Sequence, residues 1–329
     1  MPRHSSDKSS PAQVLHVPDL NEALDFFTFR LGFRVDMIFP ADAPYTAVIT
    51  GQDVTLRLEA EIKHPTIEAV NDPREFIICR LNTYNAWSVG RAGMQYRDLI
   101  PGRLSGQFIA SHIRIPDGGE TPDYVHYHKV RFQMIYCKTG WVRVVYEDQG
   151  LPFILEAGDC VLQPPEIRHR VLESSAGLEV IEISSPAIHE TWADHELTLP
   201  TSGVLPDRTF SGQKFVRHQA NNAQWKATNI DGLEARETGI GDATNGLAGV
   251  RVLRTTKSIS ANVEKNSGDF LFWFVLQGKL DLDGNYQLHD GDSCVVPSGN
   301  EFKLRTGNGV ELLEVSFPDC GVVGTISPF

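Results

Sequence analysis

The chain has 329 residues, room for two or three domains at about 100–200 residues each. Its 42 acidic residues outweigh 30 Lys+Arg, a formal charge of −12 with no Lys/Arg-rich run, so neither nucleic acid nor an anionic membrane surface is expected as a partner. No stretch approaches the ~18 apolar residues of a membrane-spanning helix. The opening MPRHSSDKSSPAQ lacks the apolar core of a secretory signal, and five widely spaced cysteines (Cys79, Cys137, Cys160, Cys294, Cys320) contain no CxxC pair, so a cytoplasmic protein with reduced, buried thiols is expected.

Residues 1–11 are Ser/Lys/Pro-rich and read as a disordered tail. A short β run at 14–17 then meets Asp19, an N-cap three residues before Glu22. Leu20, Ala23, Leu24, Phe27 and Leu31 recur at helical spacing, and Gly32 stops the helix. Residues 33–39, 45–50 and 54–59 read as strands, so residues 12–82 form a β-α-β-β-β module with its exit.

Beyond about residue 105 the helical period vanishes and short β runs alternate with Gly/Pro/Asp turns. An internal repeat is also visible. GLEVIEISSP (177–186) aligns with GVELLEVSFP (309–318), GDCVLQPPEIRH (158–169) with GDSCVVPSGNEF (291–302), and FQMIYCKTGWVRV (132–144) with LFWFVLQGKLDLD (271–283). Three elements in one order indicate two copies of a β domain, over 83–186 and 246–329, with 187–245 as linker and start of the second barrel.

The first copy carries the chemistry. On a strand, residues i and i+2 share a face, so His126 and His128 point the same way with Tyr127 opposed. Gln133 follows on the next strand, and His169 arrives just past the Pro164–Pro165 turn. Three imidazoles and one amide oxygen then converge inside a barrel as ligands for one divalent transition metal, with Fe, Ni, Mn, Cu, Co and Zn all admitted. All four ligands are neutral, so the centre keeps a net +2 charge and favours a chelating anion such as an enolate or phenolate, with the base supplied from elsewhere. Gln163, beside the proline turn, and Cys137, on the face of Gln133, are expected to line the substrate pocket. Arg131, Arg168 and Arg170 are candidate anion clamps, the latter two facing away from His169. Glu182 reads as structural, because Glu314 repeats it. His189, Asp194 and His195 read as a surface linker.

Two resemblances follow. VPDLNEALDFFTFRLGF, with its β-α-β-β-β order, resembles one module of the vicinal oxygen chelate (glyoxalase/bleomycin-resistance) superfamily. That resemblance places Glu59 at a ligand position and the other ligand near Ala12 rather than at His16; because the family's metal cup takes two modules and only one is recognisable, a structural or dimerising module is expected. The second is to the cupins. Gly119, six residues, His126-Tyr-His128, four residues, Gln133, six residues and Gly140 resemble the first cupin motif. Gly158, five residues, Pro164, Pro165, Glu166, two residues and His169 resemble the second. Gln133 replaces the usual Glu, and Glu166 the motif's second glycine. In the second copy Glu264, Asn266, Leu271 and Phe302 stand in the ligand places, so a degenerate, metal-free barrel is expected.

Together these imply a mainly β chain: two cupin (jelly-roll) barrels preceded by a small α+β βαβββ module. The resemblance implies a metal-dependent dioxygenase of a small enolisable or phenolic substrate. A non-redox isomerase or cyclase, and a binding or sensing protein without turnover, are the alternatives, since one fold hosts many chemistries. A homodimer is expected from the lone half-module.

Overall fold

The computed structural model describes residues 13–61, 75–82, 87–89, 94–263, 268–299 and 301–318; the tail 1–11, Ala12, Glu264, Asn266 and Cys320 lie outside the described residues. The chain is mainly β, as expected, in two jelly-roll barrels behind a small α+β module. Among the described residues no helix is long and apolar enough to cross a membrane.

The module has the predicted order: strand Gln13–Val17, helix Leu20–Asp25 running into a π turn at Phe26–Arg30, then strands Arg34–Phe39, Thr46–Gly51 and Val54–Ala60. Asp19 caps the helix by accepting the Glu22 N–H at 3.0 Å, satisfying one of the first turn's otherwise unpaired donors. Leu20, Phe33, Ile38, Ala47, Ile49 and Leu58 form its small core. The edge strand Arg34–Phe39 pairs with Thr191–Ala193, which pairs in turn with His126–His128. One ten-stranded sheet therefore runs from the module into the first barrel.

Strand pairing crosses the divisions read along the chain. From the 187–245 segment, Thr191–Ala193 and Val216–His218 extend the first barrel's two sheets, and Leu233–Glu237 enters a sheet of the second. Ile77–Cys79, at the end of the 12–82 span, pairs with Ser293–Val295 of the second barrel. Each covers a sheet edge that would otherwise expose unpaired N–H and C=O groups.

The barrels pack sheet against sheet. On Phe132–Thr139 the residues Phe132, Met134 and Tyr136 face the other barrel, while Ile135 and Cys137 face inward. On Phe270–Gln277 the residues Phe270, Phe272 and Phe274 meet them across the interface, while Leu271, Trp273 and Val275 fill their own barrel. The run FLFWFV is apolar throughout because both its faces are buried. Phe108 stacks on Phe270 with centroids 4.0 Å apart, and each such side chain withdrawn from water contributes about 1.5–3 kcal/mol.

A buried polar network crosses the same boundary. Arg97, 1% exposed, donates through Nη2 to His112 Nδ1 at 3.1 Å and to the Gly291 carbonyl of the second barrel at 2.8 Å. Because Arg97 can only donate, His112 Nδ1 must accept, and Nε2–H then donates to Glu179 Oε2 at 2.9 Å. Burial lowers the His112 pKa, in keeping with this neutral tautomer. The His112 hydrogen bond, joined by Lys138, holds the Glu179 carboxyl at about 2. The stability this supplies is complete above the ordinary value of 4.5 and is lost as pH falls from there towards 2. Glu179→Gln is expected to flatten the dependence of the urea midpoint on pH across that window, which denaturation at stepped pH measures.

Candidate metal centre and its cavity

Alternation and register bring three imidazoles together. His126 and His128 share the inner face of a three-residue strand, and His126 stands directly opposite His169 in the antiparallel ladder. The candidate ligand atoms of His126, His128 and His169 all lie within 4.8 Å of one another, and all three residues are buried. Each ring is anchored through Nδ1: His126 to the Tyr124 carbonyl at 2.8 Å, His169 to the Ile167 carbonyl at 2.9 Å, and His128 to Thr191 Oγ1 at 2.8 Å. A carbonyl accepts only from N–H, so in His126 and His169 the lone pair is on Nε2, the atom each ring offers inward. Asp123 backs the set. Its Oδ1 lies 3.6 Å from His126 Nδ1, and its carboxylate takes the N–H groups of Tyr124 and Val171. This donor set fits a first-row transition metal, whose imidazole ligands characteristically carry such outward hydrogen bonds.

The turn before His169 is tight. Glu166, where the motif has glycine, takes φ +61 and donates its N–H to the His128 carbonyl at 3.2 Å. A non-glycine residue there carries a left-handed backbone, which costs about 1 kcal/mol.

The imidazoles line a cavity of about 90 Å³, room for one small molecule. Its wall is largely apolar, with Ile109, Ile113, Ile135, Val144, Leu155 and Val180 prominent, and Tyr146 stacks on His169 with centroids 5.5 Å apart. Polar lining comes from Asp42, Ser111, Gln163, Glu182 and His189 besides the three histidines. Asp42 belongs to the N-terminal module and is ion-paired with Arg103, so the module supplies part of the wall.

The other expected residues distribute as follows. Gln163 lines the cavity. Gln133 is buried beside it, its carbonyl accepting the Gln163 N–H at 2.9 Å and its Nε2 donating to Glu182 Oε1 at 3.1 Å. Cys137, expected at the wall, is not among the lining residues: it lies two positions beyond Ile135 in the apolar filling, and burial pushes its thiol up to about 12. Cys79, Cys137, Cys160 and Cys294 are all free and buried. None of Arg131, Arg168 and Arg170 lines the cavity; Arg168 pairs with Asp194 at 3.1 Å and lies over the Tyr127 ring.

Two residues read as structural or superficial are in the wall. Glu182 faces the cavity although Glu314 repeats it, because in the second barrel Arg251 and the Trp273 indole hold the equivalent carboxylate. His189 is 6% exposed and T-shaped to His128 at 5.5 Å, since the chain turns inward after Pro186 before joining the sheet. Only Asp194 and His195 keep the surface role, His195 bonding Val35 and Asp36 of the module. His16 and Glu59 face each other across parallel strands, with His16 exposed and Arg57 on Glu59.

In the second barrel Val263 pairs with Phe302 as His126 pairs with His169, one residue before the aligned Glu264. Phe302 and Trp273 pack among Leu271, Leu304 and Leu312 there.

His126, His128 and His169 all lie within the stretch that comparison with known protein families picks out. Residues 111–184 match the family model described as Cupin domain. No curated protein matches this chain in sequence. Among solved structures it is similar to salicylate 1,2-dioxygenase from Pseudaminobacter salicylatoxidans, at 16% identity and TM-score 0.56 over 78% of this chain and 86% of that one. The same enzyme as an adduct with gentisate matches at 18% identity and TM-score 0.55, over 78% and 83%. Protein Ylba from E. coli matches at 12% identity and TM-score 0.52, over 78% and 96%.

Proposed function

We propose that the chain is a metal-dependent cupin enzyme, a dioxygenase of a small enolisable or phenolic substrate. The reading rests on one observation: three Nδ1-anchored imidazoles converge in the wall of a mainly apolar cavity. His126, His128 and His169 would hold one divalent transition metal, with Gln133 as fourth ligand. A metal bound there would supply Lewis acidity toward a chelating substrate and the means to activate dioxygen. The dioxygenases among the structural neighbours support the reaction class by analogy of fold.

The chain's own residues have definite parts. Glu182 takes the Gln133 amide N–H, turning Oε1 of that amide away from itself. The carboxylate missing from the ligand set thus stands one hydrogen bond behind it, where it offsets part of the +2 charge. Glu182 also supplies, in the wall, an acceptor for a proton released from a substrate hydroxyl or carbon acid. Ile109, Ile113, Val144 and Val180 keep water from the reacting groups.

A carboxylate beside neutral ligands also suits proton transfer without oxygen, so an isomerase or cyclase is the second reading. Metal analysis combined with oxygen uptake separates the two. Stoichiometric oxygen consumption on a catechol-like or diketone substrate by Fe-, Ni- or Cu-loaded protein is the expected result. Turnover that persists anaerobically selects the isomerase. Zinc-loaded protein with no oxygen uptake removes the dioxygenase reading.

A further inference from the structure

Two buried side chains in the cavity have polar atoms that nothing satisfies. Gln163 is 1% exposed, and neither its Oε1 nor its Nε2 has a partner among the described residues. His189 is 6% exposed, and its Nε2 is likewise unpartnered. Both line the cavity. Leaving one such group buried without a partner costs about 1–3 kcal/mol, so three unmatched atoms in one small space point to a ligand that satisfies them.

The direction of these bonds restricts the ligand. His189 Nδ1 lies 3.0 Å from the Pro186 carbonyl, so Nδ1 carries the hydrogen and Nε2 presents a lone pair. The ligand must therefore donate to His189. Gln163 both donates and accepts, which a hydroxyl oxygen answers from both sides. A carboxylate has no hydrogen for His189, and no Lys or Arg stands among the lining residues to neutralise it; of the acidic lining residues Asp42 is paired with Arg103, and Glu182 adds a carboxylate of its own.

We propose that Gln163 and His189 form a specificity subsite for an uncharged hydroxyl on a small, otherwise apolar substrate, and that this subsite rejects carboxylates. The proposal rests on the reading of the cavity as the substrate site, but not on the identity of the metal. Neither residue is a proposed metal ligand, so both act by orienting the substrate.

Phenol and benzoate, equal in ring and opposite in head group, are the probes. Their affinities are measured anaerobically by calorimetry on the full chain, as purified and after stripping with chelator, with metal content determined in parallel. Phenol is expected to bind at least about tenfold more tightly than benzoate to the stripped protein. Gln163→Leu and His189→Phe should each weaken phenol about tenfold, the worth of one polar contact, without changing metal content. The preference of the unsubstituted protein needs no variant, so a misfolded variant does not spoil the test. Equal or tighter benzoate binding by stripped protein overturns the proposal, as does unchanged phenol affinity in both variants. Protein that never carries metal yet prefers phenol removes the metal reading and leaves the subsite standing.

Discussion

Replacing His169 by alanine is expected to lower metal content from about one ion per chain to less than a tenth of that. Two of three imidazoles and an amide do not hold a divalent ion against exchange, and metal sites weaken steeply as ligands are lost. Elemental analysis of protein purified without a chelating tag measures it. Thr191→Val, which removes the hydroxyl at 2.8 Å from His128 Nδ1, should weaken affinity by about ten- to a hundredfold while leaving the three rings in place. Phe302→Ala, at the matching place in the second barrel, should leave metal content unchanged, although deleting a core aromatic costs about 3–5 kcal/mol of stability. Equal metal loss in His169→Ala and Phe302→Ala would contradict a single centre in the first barrel.

The second large effect is on stability. Arg97→Met is expected to cost about 3–5 kcal/mol, the usual penalty for removing one partner from a buried charged network. The substitution leaves the Gly291 carbonyl and His112 Nδ1 without their donor, and it takes the compensating cation away from Asp292 and Glu179. Because the lost bonds join the two barrels, urea unfolding should also become less cooperative, with the second barrel's tryptophan (Trp273) reporting a transition apart from the first barrel's. A single, unshifted transition would show that apolar packing alone couples the barrels.

The legible parts of this chain were those governed by short-range patterns. Two-residue alternation puts His126 and His128 on one face, and the motif spacings carry His169 to the same place, where the ladder sets it opposite His126. The helix capped by Asp19 and the β-α-β-β-β order are equally local. What escaped depends on long-range placement. Cys137 shares the inner face as alternation requires, but it is packed among Val142, Val180 and their neighbours rather than at the wall, which no periodicity records. His189 sits in a stretch rich in polar residues, and its burial comes from the inward turn after Pro186. Glu182 was hidden by its repeat: equivalent carboxylates meet Gln133 in one barrel and an arginine with a tryptophan in the other. The one-residue offset between Val263 and Glu264 arises in the same way, because glycine spacing sets a sequence alignment whereas ladder register sets the structure.

The strand Thr191–Ala193 joins the N-terminal module to the histidine strand, and Thr191 itself touches His128. A ligand of the three imidazoles that favours the paired state of that strand is, by linkage, itself favoured by the docked module to the same factor. The module and the centre are in this sense two ligands of one strand, each holding it in place for the other.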